Sequence, residues 1–289
     1  MKTRKTLSLL LAMLMLMSIS VTALAEEPKP AEEASYENLD SWSMDTTVNI
    51  DLTMNMMGEE MALQMEIGTA IDMTKSPERC RTEMTADSMG DSQKTILYYE
   101  KDGNNFTVVV SEDGGETWNK QVLPAEQFPA NMQASLASFA KLTDYASVLT
   151  KTGTETIKGR EATVYSGSLT GEQAADYIET TGALSALESM FATGPDAMDV
   201  GELGEMPLSI AIDNETGMLV WFNMDMSDYL QHLMDRVLNT IIQSALGEEE
   251  LPEDLDLSMF EASVVIREAS GDTTLYNFNE VGEIQLPET

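Results

Sequence analysis

Residue types that support nucleophilic chemistry are scarce in this 289-residue chain, which has one cysteine, Cys80, and one histidine, His232. A serine or cysteine nucleophile needs a base beside it, so any such site would have to use His232. That histidine stands between Gln231 and Leu233 in an amphipathic stretch, where we expect a partly exposed helix position. Cys80 falls on the apolar side of a strand pattern and is expected to be buried and inert. The chain also lacks a G-x-S-x-G motif, a phosphate-binding glycine loop and Cys/His zinc spacing. We therefore predict that the protein is not an enzyme.

Carboxylates are abundant, with 50 acidic against 16 basic residues and a net charge of −34. The acidic runs at residues 248–250 and 253–254 lack the alternating oxygen ligands of an EF-hand loop. No pair of carboxylates is singled out for glycoside hydrolysis, and a hydrolase, which requires a cleft with carboxylates of split pKa, is the last-ranked alternative. Such an acidic chain repels nucleic acid and anionic membrane surfaces. We predict no nucleic-acid partner, no metal and no cofactor.

Methionine is the other unusual residue, with 22 copies. Four of them cluster across the first predicted hairpin: Met54, Met56, Met61 and Met65. Thioethers bind Cu(I), but no histidine or cysteine lies near in sequence to complete such a site. Methionine also forms an adaptable apolar surface. Ordinary core packing and a pliable apolar cavity both remain open, and both are favoured over a metal site.

Residues 111–118, with the sequence SEDGGETW, match the Asp-box pattern S-x-D-x-G-x-x-W. The motif resembles the hairpin signature of sialidase-type propellers, which carry one copy in each of several blades. Only one copy is present here, so we reject a sialidase. We interpret the motif as a folding device in which the aspartate binds backbone amides of the turn and the tryptophan packs beneath it.

The first 25 residues have the features of a secretory signal peptide. Three basic residues precede an apolar stretch at residues 7–21, and a small-residue cleavage site occupies residues 23–25. No cysteine follows the apolar stretch, so the chain lacks a bacterial lipobox. We predict cleavage near Ala25 and a secreted protein, extracellular or associated with the cell envelope, with no later transmembrane segment.

Beyond the signal peptide, residues 26–35 form an acidic, proline-containing segment that we expect to be a flexible tether. Residues 36–287 are predicted to form a single domain. Within it, apolar and polar side chains alternate from residue 44 to residue 73, with one interruption at residues 57–60. Such alternation predicts two long strands that each bury one face. Four more predicted strands complete a six-stranded antiparallel meander. The third and fourth lie near 79–88 and 93–100, the fifth carries Phe106, Val108 and Val110, and the sixth ends near Val122.

Helical patterns appear only after the meander. The strongest covers residues 229–246, with apolar positions spaced i, i+3, i+4 and with Asp228 predicted as its N-cap. A short helix is predicted at 129–141, and another helix is predicted at 172–192. Hairpins are predicted at 153–169, at 208–226 and at the end of the chain, the last from strands near 258–268 and 273–278. We therefore predict an α+β protein with a large curved antiparallel sheet, a half-barrel, and amphipathic helices packed on its concave face.

This order of elements resembles the LolA/LprG-type lipoprotein-carrier fold. The resemblance rests on the signal peptide, the two very long opening strands, and the break at Ser76 and Pro77 with the two strands after it. It also rests on the late hairpin that ends in residues 223–229 and on the helix that follows. Short segments, including residues 98–99, 115–118 and 224–226, are similar to an uncharacterised family of secreted proteins from Gram-positive bacteria with that fold. The resemblance implies a half-barrel whose helices enclose an apolar cavity for lipid or acyl chains, without catalysis. The chain departs from the anchored members because it lacks the lipobox cysteine.

The leading hypothesis is a secreted, non-enzymatic protein that binds a hydrophobic small molecule, a lipid or acyl chain, between sheet and helices. Binding would be driven by burial of apolar surface. The predicted cavity lining is Val48, Ile50, Leu52, Met54, Leu63, Met65, Ile67, Leu233, Val237 and Ile241. The alternative is an extracellular protein-interaction module whose core is filled and which has no ligand. A hollow or filled concave face distinguishes the two hypotheses.

Overall fold

The computed structural model describes residues 38–56, 59–124, 135–180, 204–246 and 262–288. It contains eleven described strands: β1 (Ser41–Met56), β2 (Glu59–Lys75), β3 (Glu78–Ser88), β4 (Asp91–Asp102), β5 (Asn105–Ser111), β6 (Asn119–Pro124), β7 (Thr150–Ile157), β8 (Arg160–Leu169), β9 (Met206–Asp213), β10 (Leu219–Asp225) and β11 (Ala262–Tyr276). All eleven belong to one sheet in the order β6-β5-β4-β3-β2-β1-β11-β10-β9-β8-β7. Every neighbouring pair is antiparallel. The predicted large antiparallel sheet is confirmed.

The first six strands form the predicted meander, in which each strand pairs with the next. β1 has 16 residues and β2 has 17, about three times the usual strand length. Val48 lies opposite Ile67 and Ile50 lies opposite Met65, so the apolar residues of both strands share one face. The alternation seen in the sequence therefore sets the pairing register, since a slip by one residue would turn every apolar side chain to the other face.

The last strand, β11, lies in the middle of the sheet between β1 and β10. The predicted terminal hairpin is wrong, because residues 262–276 form one continuous strand of 15 residues. Gly271 is extended there, opposite Val48 on β1 and Met224 on β10. The long edge of β1 offers partners to the whole segment, which favours one strand over a turn. The irregularity falls at Arg267 instead, where the register with β1 shifts.

Three α-helices are described: α1 (Ser135–Asp144), α2 (Gly171–Thr180) and α3 (Ser227–Leu246). Residues 129–134 and 181–192 of the predicted helices lie outside the described residues. α3 begins earlier than expected, and Asp228 is not its N-cap. The carboxylate of Asp225 instead accepts hydrogen bonds from the backbone N–H and the hydroxyl of Ser227. Asp228 lies in the first turn, where its negative charge interacts favourably with the helix dipole.

None of the described helices combines the length and apolarity that crossing a bilayer requires.

The two faces of β1–β5 and β11 differ in chemistry. We call the face that carries Met44, Val48 and Ile67 the apolar face, and the opposite one, with Asp45 and Glu66, the polar face. The largest hydrophobic cluster combines side chains of α1, α2 and α3 with those of β8–β11 and the start of β1. In it, the ring of Phe139 on α1 lies 5.9 Å from that of Phe222 on β10. Phe222 is opposite Thr273, which is opposite Thr46 on β1, so α1 contacts the apolar face.

Candidate ligand-binding face

The predicted lining residues on β1 and β2 come together in the structure. Five of them form one hydrophobic cluster with exposures between 3% and 8%: Val48, Ile50, Leu63, Met65 and Ile67. Leu52 packs against this cluster and is partly exposed, as are Met84 and Ala86 of β3. These five side chains are therefore packed tightly, and their role in binding a ligand remains a prediction.

The remaining predicted lining residues lie elsewhere. Met54 is partly buried opposite Met61, whose side chain is 45% exposed. Leu233 is buried in the largest cluster, not in the cluster of β1 and β2. Val237 and Ile241 belong to α3, but their side chains lie outside the described residues. Within the described part of the chain, six of the seven strand members of the predicted lining are thus brought together, without Met54 and without Leu233.

A second set of apolar side chains is more accessible. Ile71, Met84, Leu97 and Val110, which we call the apolar strip, are each partly exposed on the apolar face of β2–β5. The row from Ile71 through Leu97 to Val110 crosses four strands, a width of about 14 Å at the usual strand spacing. Met84 packs against the cluster of β1 and β2, whereas the other three pack against a cluster on β3–β5. The sequence does not indicate the strip, because alternation shows the face on which a side chain lies but not how much of that side chain is exposed in the fold.

The buried cluster on β3–β5 contains Cys80, Tyr99, Phe106 and Val108. Cys80 is 2% exposed, which confirms its predicted burial. Burial raises the pKa of its thiol to about 11, against a smaller lowering by the hydrogen bond with Thr82. The hydroxyl of Tyr99 donates to the sulfur of Met73 at 3.1 Å. A thiol with this pKa is protonated at neutral pH and is a poor nucleophile.

The other candidate reactive group, His232, is exposed on α3. Its Nδ1 lies 2.7 Å from the backbone oxygen of Asp228, one helical turn earlier. This contact is local to the helix and brings no nucleophile to the imidazole. Within the described ranges, no group of three or more histidine, cysteine, aspartate or glutamate side chains is arranged to hold a metal ion.

The polar face carries an open groove of about 310 Å³ over β1–β3 and β11. Four carboxylates line it, from Asp51, Glu66, Asp87 and Glu268. Asp51 accepts a 2.9 Å hydrogen bond from the amide of Gln64 and lies 3.7 Å from the guanidinium of Arg267. Ile50 and Met65 of the predicted lining also border the groove. Its four carboxylates nevertheless lie on the polar face, so the groove is not an apolar cavity.

The Asp-box turn between β5 and β6 has the expected folding role. Oδ1 of Asp113 accepts hydrogen bonds from the hydroxyl of Ser111 and the backbone N–H groups of Glu116 and Thr117. The hydroxyl of Thr117 also donates to Asp113. These donors hold the pKa of the Asp113 carboxyl well below its usual range. Trp118 packs edge-on against Tyr98, with ring centroids 5.7 Å apart.

Comparison with known proteins gives a family but no activity. Residues 29–234 match the model of a family that is described as a family of unknown function, DUF6612. No curated protein matches the chain. The match ends within α3, so β11, the strand between β1 and β10, lies beyond the matched segment.

Three solved structures show a distant likeness. A beta-barrel-like protein of the domain of unknown function DUF1849 from Brucella abortus is 10% identical, with a TM-score of 0.24, over 82% of this chain and 96% of that one. A DUF1329 family protein from Desulfovibrio piger is 8% identical, with a TM-score of 0.19, over 83% and 85%. A candidate outer membrane lipoprotein-sorting protein domain from Vibrio parahaemolyticus is 7% identical, with a TM-score of 0.18, over 82% and 89%. TM-scores this low carry no argument about a ligand or an activity.

Proposed function

The chain belongs to the DUF6612 family of unknown function, and we propose that it is a secreted, non-enzymatic protein that binds a hydrophobic molecule, a lipid or acyl chain, on its apolar face. The observation that supports this most directly is the apolar strip. Ile71, Leu97 and Val110 are partly exposed on β2, β4 and β5, between two buried clusters of the same face. A partly exposed apolar surface between two packed clusters suits an apolar ligand.

The strip supplies the driving force for binding. Each Å² of apolar surface removed from water contributes roughly 25 cal/mol before the cost of ordering the ligand. Methionine side chains, here Met84 and Met73, adapt their shape and so accommodate acyl chains of varied length. In this proposal the sheet is a half-barrel, its apolar face is the concave one, and the ligand lies between the strands and the helices. The long strands and the twist common to all sheets support such curvature.

The states of the cysteine and the histidine support the proposal that the protein is not an enzyme. The only cysteine, Cys80, is buried and has a raised thiol pKa. The only histidine, His232, is exposed, and its Nδ1 is hydrogen-bonded to the backbone of its own helix.

We also propose that the protein is secreted after cleavage near Ala25. This rests on the first 25 residues, in which basic residues are followed by an apolar stretch and a small-residue cleavage site.

A titration with the uncharged apolar dye Nile red tests the proposal. We expect saturable binding to the mature protein and at least tenfold weaker binding to Leu97→Asp, because a carboxylate in the strip must be desolvated when the ligand binds. Thr154→Asp on the exposed strand β7 is the matched control and should bind like the wild type. Circular dichroism and thermal unfolding establish that Leu97→Asp is folded. Absence of saturable binding to the wild type, or equal binding to folded Leu97→Asp, would contradict the proposal.

One observation favours the second candidate, an extracellular interaction module with a filled core. The cluster of β1 and β2 is already packed, with no side chain among its five members more than 8% exposed. A wild type that binds neither dye nor lipid, yet is folded and monodisperse, would support this alternative.

A further inference from the structure

The apolar strip is set in a surface without formal charge. On β2–β5, the side chains of the apolar face between the strand ends are all uncharged. They are Met61, Leu63, Met65, Ile67, Thr69, Ile71, Met73, Cys80, Thr82, Met84, Ala86, Gln93, Thr95, Leu97, Tyr99, Phe106, Val108 and Val110. A ligand lying on this surface therefore meets neither a cation nor an anion.

The charges of these strands are on the other face or at the strand ends. On the polar face, Glu83 pairs with Arg81 and with Lys94. At the end of the apolar face, Glu78 pairs with Lys101 at 3.0 Å. Lys75 and Lys101, the cations on the apolar face of the described strands β2–β5, both lie at this end beside Glu78. Each is four residues along its strand from Ile71 or Leu97, roughly 13 Å away, too far to neutralise a carboxylate or phosphate on the strip. An anionic head group buried here would lose hydration without gaining a partner, in a chain whose net charge is −34.

Polar groups are nevertheless present on this surface, and they are threonines. Thr69 and Thr95 flank Met84 directly across β2, β3 and β4, and both are partly exposed. Thr82 lies between Ile71 and Leu97 in the neighbouring row. A threonine hydroxyl both donates and accepts hydrogen bonds, so it can pair with a ligand hydroxyl, ester or ether oxygen without any charge.

We infer that the ligand is an uncharged lipid with hydroxyl or ester oxygens, of the acylglycerol class, and not a fatty-acid anion or a phospholipid. This inference rests on the proposed function and adds the chemistry of the ligand. Thr69 and Thr95 bind the polar oxygens, and the apolar strip binds the hydrocarbon chain.

The test compares two probes with the same hydrocarbon chain, 1-monooleoylglycerol and oleate. Binding is measured by displacement of Nile red below the micelle concentration, at mildly alkaline pH and in about 0.5 M salt, which screens the distant charges of the chain. We expect monooleoylglycerol to bind at least tenfold more tightly than oleate. Equal or tighter binding of oleate would overturn the inference, while absence of binding by both probes and by the dye would overturn the proposed function itself.

A double variant tests whether the threonine hydroxyls contribute to binding, independently of the lack of charge on the surface. Thr69→Val with Thr95→Val removes both hydroxyls at nearly constant volume. We expect monooleoylglycerol binding to weaken by about tenfold, since each neutral hydrogen bond contributes a factor of a few, with dye binding unchanged. Thr107→Val, on the polar face of β5, is the matched control and should change neither probe. Unchanged monooleoylglycerol binding in the folded double variant would overturn the assignment of these two residues.

Discussion

The side-chain oxygen of Gln231 on α3 accepts a 2.7 Å hydrogen bond from the backbone N–H of Ile266 on β11. The amide nitrogen of the same side chain donates to the backbone oxygen of Val264 at 2.8 Å. Gln231 therefore pairs with β11 as the backbone of a neighbouring strand would. This pairing is needed because β10 pairs with β11 only as far as Ser270 and then turns into α3.

Two further hydrogen bonds join the start of α3 to the same edge of β11. The hydroxyl of Ser227 accepts a hydrogen bond from the backbone N–H of Ala269, and the N–H of Met226 donates to the oxygen of Ala269. The first two turns of α3 thus cover an edge of β11 that would otherwise expose unpaired backbone groups. The helix and the central strand are held together at this junction.

Replacing Gln231 with leucine should destabilise the protein by about 1–3 kcal/mol, because a backbone N–H and a backbone oxygen of β11 lose their partners. The free energy of unfolding from urea denaturation measures the loss. His232→Gln, at the exposed neighbouring position, is the control and should stay within about 0.5 kcal/mol of the wild type. A Gln231→Leu variant as stable as that control would show that water replaces both hydrogen bonds.

This junction also illustrates which features of the fold the sequence predicts and which depend on contacts between distant segments. The alternation along β1 and β2 predicted both strands and their shared apolar face, because a two-residue period is a local property. The single long β11 was missed, because a strand can cross Gly271 only when partners exist on both sides, and β1 and β10 are distant in sequence. The apolar strip was missed for a related reason, since exposure depends on which elements pack over each strand.

Cys80 should be unreactive in the folded protein. Its thiol is buried and its pKa is raised to about 11, so little thiolate exists at neutral pH. We expect labelling with an excess of iodoacetamide at neutral pH to modify Cys80 only after unfolding in guanidinium, as read by intact mass. Rapid labelling of the folded protein would contradict the packed cluster on β3–β5.

The Asp113 turn should give the protein an acid-dependent stability. Hydrogen bonds from Ser111, Thr117 and Glu116 lower the pKa of the folded-state carboxyl. A lowered folded-state pKa means that the stabilisation is fully present above the unfolded-state value, about 4, and is lost as the pH falls through the folded-state value. Asp113→Asn should lower the melting temperature at neutral pH, and its difference from the wild type should shrink below about pH 4.

The matched control for this turn is Glu112→Gln, which removes a neighbouring exposed carboxylate and none of the turn's hydrogen bonds. Its melting temperature should follow that of the wild type across the same pH range. A pH-independent difference between wild type and Asp113→Asn would mean that the carboxylate charge does not stabilise the turn.

The most direct test of the central claim, that the apolar face binds a hydrophobic molecule, is native mass spectrometry of the gently purified mature protein before and after incubation with mixed lipid extract. We expect a lipid-sized mass adduct that organic solvent releases and that the folded Leu97→Asp variant does not retain. A wild-type protein that carries no adduct from purification and acquires none from the extract would contradict it.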